Sequence, residues 1–146
     1  MVRNINLYIF IYILLVGCDI QSTQFCETDC YLDVEAPSLQ IDENGYYHME
    51  WLEGYVQTFS TLDANTGSDE IVKVLWESDS GINYSGYWVS SVNPASYTDD
   101  GVAHTVVSAW EEQIGDTLTV YAQYQDECGV EYVDSIRVII NNEIPN

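Results

Sequence analysis

Four cysteines, two histidines and an excess of acids carry the chemistry open to this chain of 146 residues. Cys18 follows an apolar run, Leu7 to Val16, and its thiol is a candidate for lipid attachment. Cys26, Cys30 and Cys128 remain, and in an oxidising compartment at least one disulfide is expected among them. Cys30–Cys128 is the favoured pairing, a long-range staple with a large entropic effect on the unfolded chain. Cys26–Cys30 is the alternative, Cys26 could also reach Cys128, and any one of these pairings leaves one thiol over. No close Cys-x2-Cys pair occurs, and only His48 and His104 could add imidazole ligands. Structural zinc and thioredoxin-like redox chemistry are therefore set aside.

The acids raise the question of calcium. Asp63, Asn65, Asp69 and Glu70 could supply oxygen ligands from alternate positions, with Asp99 and Asp100 as a second acidic turn and Asp42 with Glu43 as a third. The stretch lacks the glycine and the closing glutamate of an EF-hand loop, so calcium is at most a weak cofactor and solvated acidic turns are the simpler account. Hydrolysis has little to build on. There is no Gly-x-Ser-x-Gly elbow, and among 24 acids a chance carboxylate pair proves nothing. No enzyme is expected. The aromatics are the other excess, with 12 Tyr and 4 Trp. Trp76 reads as core. Trp51, Trp88 and Trp110, with Tyr84 and Tyr87, are weak candidates for a binding surface, for a protein contact more than for a sugar.

Charge narrows the partners. Three basic residues against 24 acidic ones give a formal net charge of -21. Without Arg3, only Lys73 and Arg137 remain. Nucleic acid is excluded as a partner, because phosphate neutralisation needs side chains this chain lacks. A polybasic membrane patch is excluded on the same ground. At 47% hydrophobic residues the chain is no disordered acidic tail, and it holds material for one core.

Arg3 and the apolar run have the form of a secretory signal. Ten apolar residues reach about 15 Å as helix, half of what a membrane span needs. The run closes on Leu15-Val16-Gly17-Cys18, which resembles the lipobox of bacterial lipoproteins. That resemblance implies cleavage before Cys18, acylation of its thiol, and stable anchoring through several acyl chains. Residues 1–17 then form the signal peptide, 18–34 a tether, 35–142 the domain and 143–146 a tail. The expected address is the bacterial cell envelope, at the outer membrane or cell surface in preference to the inner membrane.

From Pro37 onward strand and turn alternate. Apolar or β-branched runs fall near 46–62, 71–77, 84–92, 102–110, 117–125 and 131–140, with a shorter one at 37–41. Leu118, Val120, Ala122 and Tyr124 share one face of a period-two pattern, as do Ile136, Val138 and Ile140. This predicts an all-β fold, an antiparallel immunoglobulin-like β-sandwich of about seven strands. Tyr97-Thr98-Asp99-Asp100-Gly101-Val102-Ala103, followed by Gly115-Asp116-Thr117-Leu118-Thr119-Val120-Tyr121-Ala122, resembles the latter half of invasin/intimin-type bacterial immunoglobulin-like domains. The resemblance implies a spacer or adhesive module without catalytic residues. The expected function is a lipid-anchored surface lipoprotein whose domain is a non-catalytic binding or structural module, with a protein partner or self-association as its contact. The alternative is a fibre or envelope-machine subunit joined by strand edges or aromatic contacts.

Overall fold

The computed structural model describes residues 30–142. It contains eleven strands: β1 (Asp33–Glu35), β2 (Gln40–Ile41), β3 (Tyr46–Glu50), β4 (Gln57–Asn65), β5 (Lys73–Ser78), β6 (Gly81–Tyr84), β7 (Tyr87–Ser90), β8 (Ala95–Asp99), β9 (Val102–Trp110), β10 (Thr117–Gln125) and β11 (Glu131–Asn141). One 3-10 turn, Glu111–Gln113, is the only helical element among the described residues. The all-β expectation holds. The strand count exceeds the expected seven because the run at 46–62 divides into β3 and β4, that at 84–92 lies across a separate hairpin, β6–β7, and β1 and β8 fall outside the expected runs.

Nine strands form one hydrogen-bonded sheet in the order β1-β4-β9-β8-β5-β10-β11-β3-β2. It curls into an open half-barrel rather than forming two separate sheets. The corner is β8, which pairs with β5 through Ala95–Tyr97 and with β9 through Thr98 and Asp99. All pairs in the sheet are antiparallel except β11–β3, where Arg137 to Asn141 run parallel to Tyr46 to Glu50. The purely antiparallel expectation is corrected there. A parallel neighbour requires a distant segment, and here the last strand returns beside the third.

The period-two faces point inward as their spacing requires. Leu118, Val120, Ala122 and Tyr124 of β10 are buried, with Ile136, Val138 and Ile140 of β11 beside them. Val74 and Trp76 of β5, and Leu62 and Ala64 of β4, complete the core from both halves of the curl. Trp76 is buried as expected, and its indole Nε1–H donates to Ser96 Oγ at 2.8 Å. Between β8 and β9 the two-residue loop Asp100–Gly101 has positive φ at both positions, 52° and 78°. That is the hairpin turn whose twist matches the flanking strands, and Asp-Gly is suited to it.

The folded unit begins before the expected boundary at 35. Val34 is buried, Cys30 and Leu32 pack against the core, and Tyr31 N–H donates to Thr66 O at 3.1 Å. Buried Tyr124 pins the same segment by sharing its hydroxyl between Tyr31 O and Thr66 O, each at 3.1 Å. Burial, and then the neighbouring Cys30 thiol, push that phenol well above its ordinary range.

The expected disulfides through Cys30 are not formed. Cys30 is a free thiol, lodged beside Tyr124. Cys128 is disulfide-bonded, so its partner lies outside the described residues, where Cys18 and Cys26 stand. The apolar run and the lipobox lie there as well.

At the corner, Thr98 N–H donates to Val72 O at 2.9 Å. The Thr98 hydroxyl accepts from Val72 N–H at 2.9 Å and donates to Glu70 O at 3.0 Å. Thr98→Val keeps the shape and removes the hydroxyl, so stability should fall by about 1–3 kcal/mol. A lower urea midpoint with an unchanged slope would show it; an unchanged midpoint would remove this role. In the β2–β3 turn, Asp42 accepts from Tyr46 N–H and Asn44 N–H, both at 2.9 Å, and from His48 at 3.3 Å. The bond from the Tyr46 backbone, above all, holds the carboxyl below its ordinary value of 3.8. A depressed folded-state pKa stabilises the fold above the unfolded value and loses that effect as pH falls through the folded one. Asp42→Ala should therefore melt earlier than the unmodified chain at neutral pH, with the gap closing as pH drops below 3.8.

Candidate functional site

Nine-residue β4 separates two ends of the half-barrel, about 30 Å apart at the usual strand rise. One end holds Asn65, Thr66, the β8–β9 turn and the β10–β11 turn, and the chain enters the fold there through Cys30 and Tyr31. At the other end lie the loop after β3, the 3-10 turn after β9 and the β6–β7 hairpin. These three segments enclose a groove of about 470 Å³, lined by Trp51, Glu53, Tyr55, Val56, Ile82, Trp110, Glu111 and Glu112. A second depression continues it past Trp51, Glu53 and Glu111 and adds Glu50, Leu52 and Ile114.

Backbone bonds set the loop in place. Trp51 N–H donates to Asn141 O at 2.7 Å, and Tyr55 N–H closes a turn on Leu52 O at 3.2 Å. Trp51 and Trp110 are sunk into the floor, at 7% and 8% exposure. The apolar side chains that reach solvent beside them are Leu52, Tyr55 and Val56. The carboxylates of Glu50, Glu53, Glu111 and Glu112 stand around this surface.

One buried amide fixes the groove wall. Gln113 Nε2 donates to Ser80 Oγ at 2.7 Å and to Ser91 Oγ at 3.0 Å, while its Oε1 accepts from Trp110 N–H at 3.0 Å. Ser80 and Ser91 bracket the β6–β7 hairpin, and Ser91 N–H donates to Ser80 O at 3.1 Å. Gln113 therefore ties the hairpin base to the end of β9. Within the hairpin, Tyr87 and Val89 share the face of Ile82, since directly paired residues point the same way. Trp88 lies on the opposite face, at 64% exposure. Its ring rests on Gly81, where an added Cβ would meet Trp88 Cζ2 at 2.7 Å and collide with Val89 O. Gly81 must stay bare for that approach.

Of the aromatic candidates, then, the structure brings Trp51 and Trp110 together in the groove. Tyr87 stands exposed on the hairpin, Tyr84 pairs with it across the turn, and Trp88 faces away. Composition alone missed Gln113, Glu53, Tyr55 and the hairpin; the Ser85-Gly86 dipeptide was the available turn signal.

The calcium candidates do not converge. Asp63 Oδ1 meets His104 Nδ1 at 2.8 Å on the outer face of the sheet. Asn65 Oδ1 accepts from the Tyr31 hydroxyl at 3.1 Å and from Gly67 N–H at 3.3 Å. The Thr66 hydroxyl, which donates to Gly101 O at 3.0 Å, joins the loop of Asp69 and Glu70 to the turn of Asp99 and Asp100. No group of three His, Cys, Asp or Glu suited to a metal ion exists among the described residues.

No family model matches the chain, that of the invasin/intimin immunoglobulin-like domains included, and no curated protein matches it. Two solved structures are similar in fold at 10% identity. The ASH/PapD-like domain of human CEP192 (PapD-like domain 7) aligns over 79% of this chain and 87% of its own, with a TM-score of 0.47. A family 123 glycoside hydrolase from Clostridium perfringens aligns over 80% of this chain but only 28% of its own, with a TM-score of 0.43. Neither assigns this chain a family or an activity.

Replacing Gln113 by Leu leaves Trp110 N–H and two serine hydroxyls short of a partner. Stability should fall by about 1–3 kcal/mol, and hydrogen exchange should quicken across residues 81–90. Exchange unchanged there would dissociate Gln113 from the hairpin.

Proposed function

We propose that this chain is a lipid-anchored protein of the bacterial cell envelope whose immunoglobulin-like domain is a non-catalytic module for binding another protein. The polarity of the domain carries the reading. The chain enters at the end pinned by Tyr124, and the groove opens at the other, so an anchor at Cys18 would hold the groove outward. The two halves of the curl, packed on one core, support an immunoglobulin-like description. Neither histidine lines the groove, nor does any serine or cysteine, which favours binding over nucleophilic chemistry.

The strand-edge alternative finds less support. At one edge of the nine-stranded sheet, β1 has three residues and Val34 N–H is taken by the Asp134 carboxylate at 2.8 Å. The other edge, β2, has only two residues. Short or capped edges resist strand addition.

The experiment places a photo-reactive residue at Tyr55 or, for comparison, at Glu43, in the full chain with Cys18 intact or changed to Ser. Expected are a membrane-bound product starting at diacylglyceryl-Cys18 by intact mass, and a cross-linked envelope protein from position 55 but not 43. Cys18→Ser should abolish the lipid mass. An unlipidated product from the intact chain would overturn the anchor, and equal capture at both positions would overturn the binding end.

A further inference from the structure

We propose that the groove docks a cationic segment of another protein, one that carries Lys or Arg next to apolar side chains; this rests on the binding-module reading above. Charge complementarity is the first ground. Glu50, Glu53, Glu111 and Glu112 come from two separate segments and meet around one apolar surface. The basic side chains among the described residues are Lys73 and Arg137, and neither lines the groove. Arg137 is engaged on Tyr46, 5.5 Å from its ring centroid and 3.1 Å from its hydroxyl. Positive charge at the rim must come with the occupant.

The apolar ground is equally specific. Leu52, Tyr55 and Val56 present exposed apolar surface, with Val56 at 82% exposure, and Ile82 closes the opposite wall. A bare metal ion would leave that surface wet, and the carboxylates do not form a metal-holding cluster. A glycan needs open aromatic faces to stack on; the two groove tryptophans are more than nine-tenths buried, and Tyr55 is the single exposed ring among the lining residues. A Lys or Arg side chain fits both demands. Its alkyl stem can lie on Tyr55 and Val56 while its head reaches a glutamate. The volume of about 470 Å³ is of the size that side chains or a small ligand fill.

Another depression of comparable size lies at the entering end of the chain and includes Lys73 beside Ile71 and Leu75. It offers no uniform sign of charge and would face an anchor.

The test uses the purified full chain and a short fluorescein-labelled peptide bearing Lys, Leu and Trp in a Gly/Ser background. A second peptide has Gln for every Lys. The proteins are the unmodified chain, a rim variant (Glu53→Gln, Glu111→Gln, Glu112→Gln), an apolar variant (Tyr55→Ser, Val56→Ser) and a remote-charge control (Glu43→Gln, Asp69→Asn, Asp99→Asn). All substituted positions are on the surface or rim, and matched thermal melts check folding. Saturable binding of the Lys peptide should weaken about tenfold in the rim variant, since each exposed ion pair contributes modestly and three carboxylates are neutralised together. The apolar variant should lose a similar factor, the Gln peptide should bind at least tenfold more weakly, and the control should match the unmodified chain. Equal weakening in the control would reduce the effect to diffuse attraction and overturn the proposal. Equal binding of the Gln peptide, or none of the Lys peptide, would overturn the cationic occupant. A non-basic partner captured specifically from position 55 would then leave the binding-module reading standing without this refinement.

Discussion

Everything in this domain depends on the corner made by β8. A single sheet with one apolar face can hide that face only by folding over on itself, and a strand that changes neighbours midway does this without breaking the hydrogen-bonded order. Thr98 stands where the change occurs. Past Tyr97 the β5–β8 ladder ends, and the Thr98 hydroxyl takes over, bonded to Val72 N–H and Glu70 O. A buried backbone group left without a partner costs far more than a normal bond contributes. The hydroxyl makes the corner tolerable, and the corner brings β4 and β9 over β5, β10 and β11.

The two ends of the curl then diverge in character. Where the chain enters, polar atoms are tied to one another: Tyr124 to Tyr31 and Thr66, Val34 to Asp134, Thr66 to Gly101. At the far end the buried amide of Gln113 joins Ser108 N–H, which donates to Ser91 O at 2.7 Å, in holding the hairpin base to β9, and apolar surface stays open beside them. A fully satisfied amide can fix geometry without filling space.

The core was legible in the sequence wherever period two ran uninterrupted. Leu118 to Tyr124 and Ile136 to Ile140 announce their buried face directly, because alternate residues on a strand must point to opposite sides. The Asp100–Gly101 turn was legible for a comparable local reason. What escaped was non-local. Nothing in Ser96 or Thr98 shows that their strand changes partners, and nothing near Tyr46 reveals a parallel neighbour at Arg137. The cysteines illustrate the same limit: spacing favoured Cys30 for Cys128, whereas packing placed the Cys30 thiol beside Tyr124. For the groove, the two tryptophans stood out by type, but Glu53 and Glu111 are undistinguished among 24 acids until the fold sets them side by side.

That proximity has an electrostatic consequence. At a formal net charge of -21, every added glutamate raises the self-repulsion of the compact state. Acids on separate strand ends are screened from one another by salt over about 8–10 Å. Those gathered at one rim, beside a low-dielectric apolar floor, are screened less. The far end of the domain therefore holds repulsion that no Lys or Arg among the lining residues offsets, and a cationic partner of the kind proposed would relieve it. The excess of acid that argues against nucleic acid as a partner would also sharpen the attraction for a basic one. Solubility and recognition draw on the same field: it repels other copies at distance and acts as a specific contact only where apolar surface lets a partner stay.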